Sequence, residues 1–212
     1  MSSLRTWAFG FALTGVLASA MTFTSRAQAQ NADPEEFLRE RHQTVERILS
    51  RPARTEADRA RRQGELNTQL THLLDYDSVA ATALVDHWNG LSAAQRTEFV
   101  SLLRQLVERS YSRNLESTHN YVVRYAGVQA QNGASIVRTY ARSRSNGRAP
   151  EVSIDYTLRQ TDGVWKVTDV TTDGVSLVRN YRSQFHRIVQ RDGWDALMRR
   201  MRERLAAAGD EI

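Results

Sequence analysis

The spacing of apolar residues changes near His119, and that change limits the folds that the chain can adopt. Before it, apolar residues recur about every 3.6 positions, as in an α-helix; after it they recur at every second position, as in a β-strand. Helices followed by strands predict an α+β fold, in which an antiparallel sheet packs against helices without a parallel crossover. Hydrophobic residues make up 41% of the chain, which is enough for a globular core.

Local capping signals place the helices before that change. Asp33 can cap free amides and Pro34 suits the first helical position, so a helix is expected to begin there, and Pro52 ends it. The pattern Thr55-x-x-Asp58 opens a second helix. The predicted helices span residues 34–50, the segment after Thr55, residues 78–89 and residues 93–115, and two more are expected after the strands, over residues 177–191 and 194–205.

Four strands are predicted after the change of period, over residues 121–126, 135–143, 151–160 and 164–171. Asn132-Gly133, Asn146-Gly147 and Asp162-Gly163 separate them, and such pairs favour tight hairpin turns. The pattern therefore predicts an antiparallel meander.

The third strand has the clearest alternation. Val152, Ile154, Tyr156 and Leu158 take every second position between polar residues, so one face of the sheet is expected to be dry and the other wet. We expect the helix over residues 93–115 to cover the dry face. The first helix has only a narrow apolar stripe and is expected on the surface of the body.

The first thirty residues are typical of a secretory signal peptide. Arg5 precedes an apolar stretch over residues 7–23, and Ala27-Gln28-Ala29 is a small-x-small cleavage site. Cleavage is favoured over an uncleaved membrane anchor because the chain becomes polar from Gln30. We expect export to the periplasm. The predicted organisation is a signal peptide over residues 1–29 and one domain over residues 30–212, with a helical part (34–117), a sheet (121–171) and a second helical part (177–206).

Charge and cysteine content exclude several functions. Removing residues 1–29 takes away Arg5 and Arg26 and no acidic residue, so the net charge falls from +5 to +3, which does not favour nucleic acid as a partner. The chain has no cysteine, so it forms no disulfide, carries no thiolate and takes no lipid anchor on a cysteine.

The sequence also lacks the usual catalytic motifs. It contains no glycine-rich phosphate loop, no G-x-S-x-G and no H-E-x-x-H, and no two of its five histidines are spaced at i and i+4. His72 with Asp75, and Asp86 with His87, are interpreted as surface groups. We therefore predict no catalytic residue, no metal and no cofactor. Two aspartates near the last strand, Asp169 and Asp173, are interpreted as turn and cap residues.

Aromatic residues near the seam of sheet and helices leave two interpretations open. They fill a solid core, or they line a pocket for an apolar ligand, where each buried methylene contributes about 0.8 kcal/mol. Spacing does not distinguish the two. These aromatic residues are Trp88, Phe99, Tyr111, Tyr125, Tyr156, Trp165, Tyr181 and Phe185.

A long motif then indicates a family. Residues 165–185 read W-x-V-x-D-V-x-x-x-G-V-S-L-V-x-N-Y-R-x-Q-F, which resembles the signature of the MlaC family, also called toluene-tolerance proteins. A weaker match comprises Tyr76-Asp77, Leu84, Trp88 and residues 92–99. One departure is Val85-Asp86, since a glycine is expected after Leu84.

The resemblance implies a nuclear-transport-factor-like α+β body, with a sheet of about four strands covered by helices on one face and extra helices at both ends. It also implies a periplasmic phospholipid carrier that is not an enzyme. The acyl chains would occupy a deep apolar cavity with the headgroup at its mouth. The lipid would pass between an outer-membrane lipoprotein complex and the MCE-domain protein of an inner-membrane ABC transporter. This transfer would maintain the lipid asymmetry of the outer membrane.

Alternation along the strands and helices, together with the family motif from Val175 onward, predicts the residues that line this cavity and bind lipid. They are Trp88, Leu103, Val107, Tyr125, Val152, Ile154, Tyr156, Val170, Val175, Leu177, Tyr181 and Phe185.

Two other functions remain open on the sequence. One is an enzyme of the same broad fold, such as a dehydratase or isomerase, with a titratable group inside the sheet. The other is a module without a lipid cavity that recognises proteins or an anionic membrane surface through an arginine-rich end. The arginines of that end are Arg187, Arg191, Arg199, Arg200, Arg202 and Arg204.

Overall fold

The structure, a computed structural model, describes residues 33–118, 121–144 and 149–207, with the backbone alone for residues 112–118. The predicted signal peptide and the predicted turn at Asn146-Gly147 lie outside the described residues. No helix in the described part is both long and apolar enough to cross a membrane. The elements are α1 (Pro34–Ser50), α2 (Glu56–Leu73), α3 (Tyr76–Ala83), a 3-10 turn (Trp88–Gly90), α4 (Ala93–Thr118), β1 (Tyr121–Gln131), β2 (Ala134–Ser143), β3 (Val152–Thr161), β4 (Val164–Thr172), β5 (Val175–Ser176), α5 (Leu177–Asp192) and α6 (Trp194–Ala207).

The strands form one antiparallel meander in the order β1-β2-β3-β4-β5, so the predicted α+β class is confirmed. The turns at Asn132-Gly133 and Asp162-Gly163 are confirmed, with positive φ at both residues of each pair. A third pair with this geometry, Asp173-Gly174, joins β4 to β5, a fifth strand that the sequence pattern did not predict.

The first strand is longer than predicted. It continues past residue 126 to Gln131, with an irregularity in its pairing between Tyr125 and Val128. Gly127 lies in that interval with φ 108°, a conformation that favours glycine. The bulge interrupts the alternation, which is why the sequence pattern appeared to end there.

The predicted caps of the first two helices are confirmed. The Asp33 carboxylate accepts a hydrogen bond from the backbone N–H of Glu35, and Thr55 and Asp58 form a reciprocal capping box.

The prediction for the third helix was wrong at both ends. It begins at Tyr76, because Asp75 caps it by accepting from the N–H of Ser78 at 2.9 Å. It ends at Ala83, because the carbonyl of Leu84 accepts from two later amides and the chain turns into the short 3-10 segment.

The apolar residues form two main cores. The sheet core consists of Phe37 and Leu38 of α1 on Val137, Leu158 and Val167 of the sheet. The helical core lies between α3, α4, α5 and α6. Its largest buried side chains are Leu84, Phe99, Leu103, Phe185, Leu197 and Met198.

This arrangement corrects the expected positions of two helices. The dry face of the sheet is covered by α1, whose buried Phe37 and Leu38 pack directly on it, and not by α4. The apolar stripe of α4 faces α5 and α6 instead, where Phe99 and Leu103 are buried in the helical core. Phe37 and Leu38 are almost fully buried against the sheet, so the narrow apolar stripe of α1 is sufficient to cover the sheet at this end.

A hydrogen-bonded joint connects the sheet to α5. One oxygen of Asp169 accepts from the hydroxyl of Ser176 at 2.5 Å, and the other accepts from the N–H of Val178 at 3.1 Å. The hydroxyl of Ser176 in turn accepts from the N–H of Arg179 and caps α5. Asp173 accepts from the N–H of Ser153 at 2.9 Å. The interpretation of both aspartates as turn and cap residues is confirmed.

A cavity between the first helix and the sheet

A cavity of about 770 Å³ lies between α1 and the end of the sheet where β1 begins and β2 ends. One wall comes from the second half of α1, the opposite wall comes from β1, β2 and β3, and α4 contributes one residue. Its lining consists of His42, Val45, Glu46, Leu49, Ser50, Tyr111, Tyr121, Val123, Ala141, Arg144, Val152, Ile154 and Tyr156.

The register of the strands places the side chains of the sheet wall next to one another. Val123 pairs with Ala141, and Ala141 pairs with Val152, so these three side chains form one row on the inner face. Tyr156 lies further in, opposite Val137 of the sheet core. The buried Ala141 is small, which leaves room above the middle of the row.

The position of α1 explains why only one end of this face is open. Its first turn is fixed on the sheet by Phe37 and Leu38, which fill the space beneath it. About three turns later, Leu49 packs with α2 and α4 around Leu66, while Val45 and Leu49 also line the cavity. The end of α1 is therefore supported by other helices and leaves the sheet below it uncovered.

The deep part of the wall carries one polar pair. The Tyr125 hydroxyl and Nδ1 of His42 are 2.7 Å apart and share a hydrogen bond, and the His42 ring packs edge-on against Tyr156 with ring centroids 5.5 Å apart. The Arg39 guanidinium lies 4.0 Å above the Tyr125 ring. The pair therefore fastens the middle of α1 to β1.

Burial keeps this deep wall uncharged near neutral pH. Burial, assisted by the neighbouring charge of Arg39, lowers the pKa of His42 to about 4. Burial raises the pKa of Tyr111 to about 12, and it also raises the pKa of Tyr125 and of Tyr156 above the usual value. A ligand in the deep part meets neutral side chains only.

The rim of the cavity is different, because its residues are exposed. Tyr121 is 38% exposed and Val123 is 36% exposed, so both present apolar surface to water at the rim. Glu46 on α1 and Arg144 after β2 are also exposed, and Nε of Arg144 donates to the carbonyl oxygen of Tyr121 at 3.3 Å. The entrance therefore combines apolar side chains with one charge of each sign.

The structure places the twelve sequence-predicted lipid-binding residues in four surroundings. Val152, Ile154 and Tyr156 line the cavity. Tyr125 and Val170 pack against the sheet core, where Tyr125 lies behind His42. Those in the helical core are Trp88, Leu103, Val107, Tyr181 and Phe185.

The remaining two, Val175 and Leu177, lie on the surface and are 62% and 43% exposed. They flank Ser176, which is buried and caps α5. The structure thus brings together only the β3 members of the predicted set, and binding of lipid by the others stays a prediction.

Sequence reasoning missed the α1 wall, including His42 and Val45, because α1 was expected on the surface. It also missed Val123 and Ala141. Their signal was present, since both fall on the alternating inner positions of β1 and β2. The predicted set contained only Tyr125 from β1 and no residue from β2.

The surface groups weighed as alternative chemistry have structural partners. Asp86 accepts two hydrogen bonds from Arg182, at 3.0 and 3.2 Å, and these hold the pKa of Asp86 below its usual value. Of the arginine-rich end, Arg200 pairs with Asp192 at 2.7 Å and Arg202 pairs with Glu98. Across the described ranges, no group of three or more His, Cys, Asp or Glu side chains could hold a metal ion.

The fold and the cavity together define a class of protein, an α+β body in which a sheet and one helix enclose an apolar cavity. The particular family follows from the sequence, since the model of the MlaC protein family matches residues 39–203, and the chain belongs to that family. The resemblance of residues 165–185 to the MlaC signature is thereby confirmed.

A solved structure has the same fold. It is the phospholipid-binding protein from Ralstonia solanacearum, determined in complex with a phospholipid. It is 20% identical in sequence, with a TM-score of 0.71, and the match covers 84% of this chain and all of that chain. No curated protein matches this chain.

Proposed function

We propose that this protein binds a phospholipid and holds its acyl chains in the cavity between α1 and the sheet. The observation that carries the proposal is the cavity of about 770 Å³, whose deep wall is apolar or neutral and whose rim is exposed. That volume lies within the range of roughly 300–1,000 Å³ that is usual for small-molecule sites. The family and the phospholipid in the Ralstonia solanacearum protein support the same ligand class.

Hydrocarbon burial would supply most of the affinity. Each methylene that leaves water contributes about 0.8 kcal/mol, so ten methylenes contribute roughly 8 kcal/mol before the costs of binding. Tyr121 and Val123 expose apolar surface at the entrance and would regain this energy against a lipid tail.

The polar groups of the cavity favour binding over catalysis. A histidine whose pKa is about 4 is a weak base at neutral pH. Within the described part of the chain, no carboxylate hydrogen-bonds to His42 to strengthen it; its partner is the Tyr125 hydroxyl. We infer that the pair fastens α1 to the sheet and that the protein is a carrier rather than an enzyme.

The proposal extends to transport. After cleavage of residues 1–29, the carrier would work in the periplasm and exchange phospholipid with an outer-membrane lipoprotein complex and the MCE-domain protein of an inner-membrane ABC transporter, thereby maintaining outer-membrane lipid asymmetry. A phospholipid exposes too much hydrocarbon to cross an aqueous compartment alone. A carrier that covers the tails removes that cost, and its partners would reopen the cavity at each end.

Native mass spectrometry of residues 30–212 tests the binding step. We expect a mass increase that organic extraction identifies as phospholipid. The Val123→Trp variant should lose most of this lipid because the indole occupies the entrance, while Val128→Trp should keep it. Val128 is a matched control, since it lies on the same strand, is similarly exposed and does not line the cavity. A folded protein that never carries lipid, or equal loss in both variants, would contradict the proposal.

A further inference from the structure

The cavity entrance carries two opposite charges on opposite walls. Glu46 lies on α1, one turn beyond His42, and Arg144 lies just after β2. Both side chains line the cavity and both residues are exposed. The hydrogen bond from Arg144 to the Tyr121 carbonyl holds the guanidinium at the rim.

Neither charge takes part in an ion pair with a described side chain. Each of the twelve ion pairs between described side chains involves other residues, and, of the described groups, the Arg144 guanidinium donates only to the uncharged carbonyl oxygen of Tyr121. By contrast, most arginines of the C-terminal helices have an acidic partner. Two unpaired charges of opposite sign at the same entrance are therefore available to a ligand.

The lack of charged side chains in the deep wall determines where the polar part of a ligand lies. His42 and the cavity tyrosines are neutral near pH 7, so nothing in the interior compensates a buried charge, and burying one there is costly. An amphiphile whose tails occupy the cavity must keep its charged group at the rim. There it meets Arg144 from the sheet wall and Glu46 from the helix wall.

The two side chains differ in what they accept. A guanidinium binds a phosphodiester through charge-assisted hydrogen bonds, and every common glycerophospholipid offers that group. A carboxylate repels a second anionic group and accepts hydrogen bonds from a primary ammonium. The chemistry of Arg144 therefore suits the phosphate that phospholipids share, and the chemistry of Glu46 suits an ammonium attached to it.

We propose that Glu46 and Arg144 recognise the headgroup and select a zwitterionic aminophospholipid, with Arg144 on the phosphate and Glu46 on the primary ammonium. This inference rests on the proposed phospholipid binding and adds the class of headgroup. A phosphoglycerol headgroup carries no ammonium and gains only the contact with Arg144. A phosphocholine headgroup carries the positive charge without N–H donors, so it ranks between the two.

A competition experiment tests the inference. Delipidated protein covering residues 30–212 is incubated with vesicles that contain equal amounts of phosphatidylethanolamine and phosphatidylglycerol with identical acyl chains, and native mass spectrometry measures the bound ratio. Because the contacts are exposed, we expect phosphatidylethanolamine to be preferred roughly two- to fivefold. Glu46→Gln should bring the ratio to about one or invert it without lowering total lipid, and Arg144→Gln should lower the bound amount of both lipids.

Two variants serve as matched controls. Glu40→Gln removes an exposed carboxylate of α1, and Arg159→Gln removes an exposed guanidinium of β3; neither residue lines the cavity, so both should keep the wild-type ratio and amount. If the wild type binds lipid but shows no headgroup preference, or if Glu46→Gln keeps the wild-type ratio, the inference is overturned while lipid binding stands. If the wild type binds neither lipid, the proposed function itself fails.

Discussion

The helical core and the region under α1 are built from similar residues and differ in how completely they are filled. In the helical core, Phe99 is fully buried and meets Phe185 edge-on at 5.6 Å, while Tyr181 stacks on Phe185 at 5.5 Å. Under α1, Tyr111 and Tyr156 border open space. Aromatic content therefore does not tell a core from a pocket. The difference comes from the helices, because α4, α5 and α6 close on one another, whereas α1 contacts the sheet through Phe37, Leu38 and His42 and borders open space at its C-terminal end.

The largest expected difference between the two regions is the loss of stability when one apolar side chain is truncated, and this loss should be greatest in the helical core. Phe99→Ala should lower the free energy of unfolding by about 4 kcal/mol, because it opens a void among side chains that have no space to relax. Ile154→Ala, on the cavity wall, should cost only about 1 kcal/mol, because it enlarges an existing space. Urea unfolding measures both, and equal losses would show that the two regions are packed alike.

The next largest effect is the pH dependence of stability that His42 of α1 contributes. His42 has a pKa of about 4 in the folded protein and of 6.5 as the usual reference, so between these values the unfolded chain binds a proton that the folded chain does not. Stability should fall by about 3 kcal/mol as pH drops from 6.5 to 4, with no contribution from this group above 6.5. Arg39, Tyr125 and Tyr156 are the charged or titratable groups that surround it.

The measurement is thermal unfolding across that pH range, compared with His42→Gln, which should lose this part of the pH dependence. His72→Gln is the control, since His72 is exposed on α2 and its removal should leave the slope unchanged. A wild-type slope equal to that of His42→Gln would mean that the histidine is not held neutral by burial.

The smallest effect tests the joint between the two regions. Asp169→Asn removes an acceptor from the Ser176 hydroxyl or the Val178 N–H, so we expect a loss of about 1.5 kcal/mol in unfolding free energy. Asp155→Asn, which affects only an exposed ion pair with Arg138, should cost less than about 0.5 kcal/mol. If the two variants are indistinguishable by urea unfolding, Asp169 does not connect the sheet to the helical core.

Particular residues show how far the site could be predicted from sequence. Val152, Ile154 and Tyr156 follow from alternation along one strand, and they do line the cavity. His42 and Val45 could not be placed in the same way, because their role depends on where α1 lies relative to strands about eighty residues later. The family motif pointed to Val175, yet the structure shows Val175 exposed, while Ser176 and Val178 of the same motif are buried at the joint between β4 and α5.

The sequence by itself determined the order of the helices and the first four strands, the hairpin turns at Asn132-Gly133 and Asp162-Gly163, the caps of the first two helices and the family. These features depend on interactions between residues a few positions apart, so their signals are local. Only the tertiary structure decided which helix covers the sheet, where the covering stops, and that His42 is neutral. Burial depends on elements that are distant in sequence and meet in space. The spacing of apolar residues along the chain is the same whether their side chains are packed or border a void.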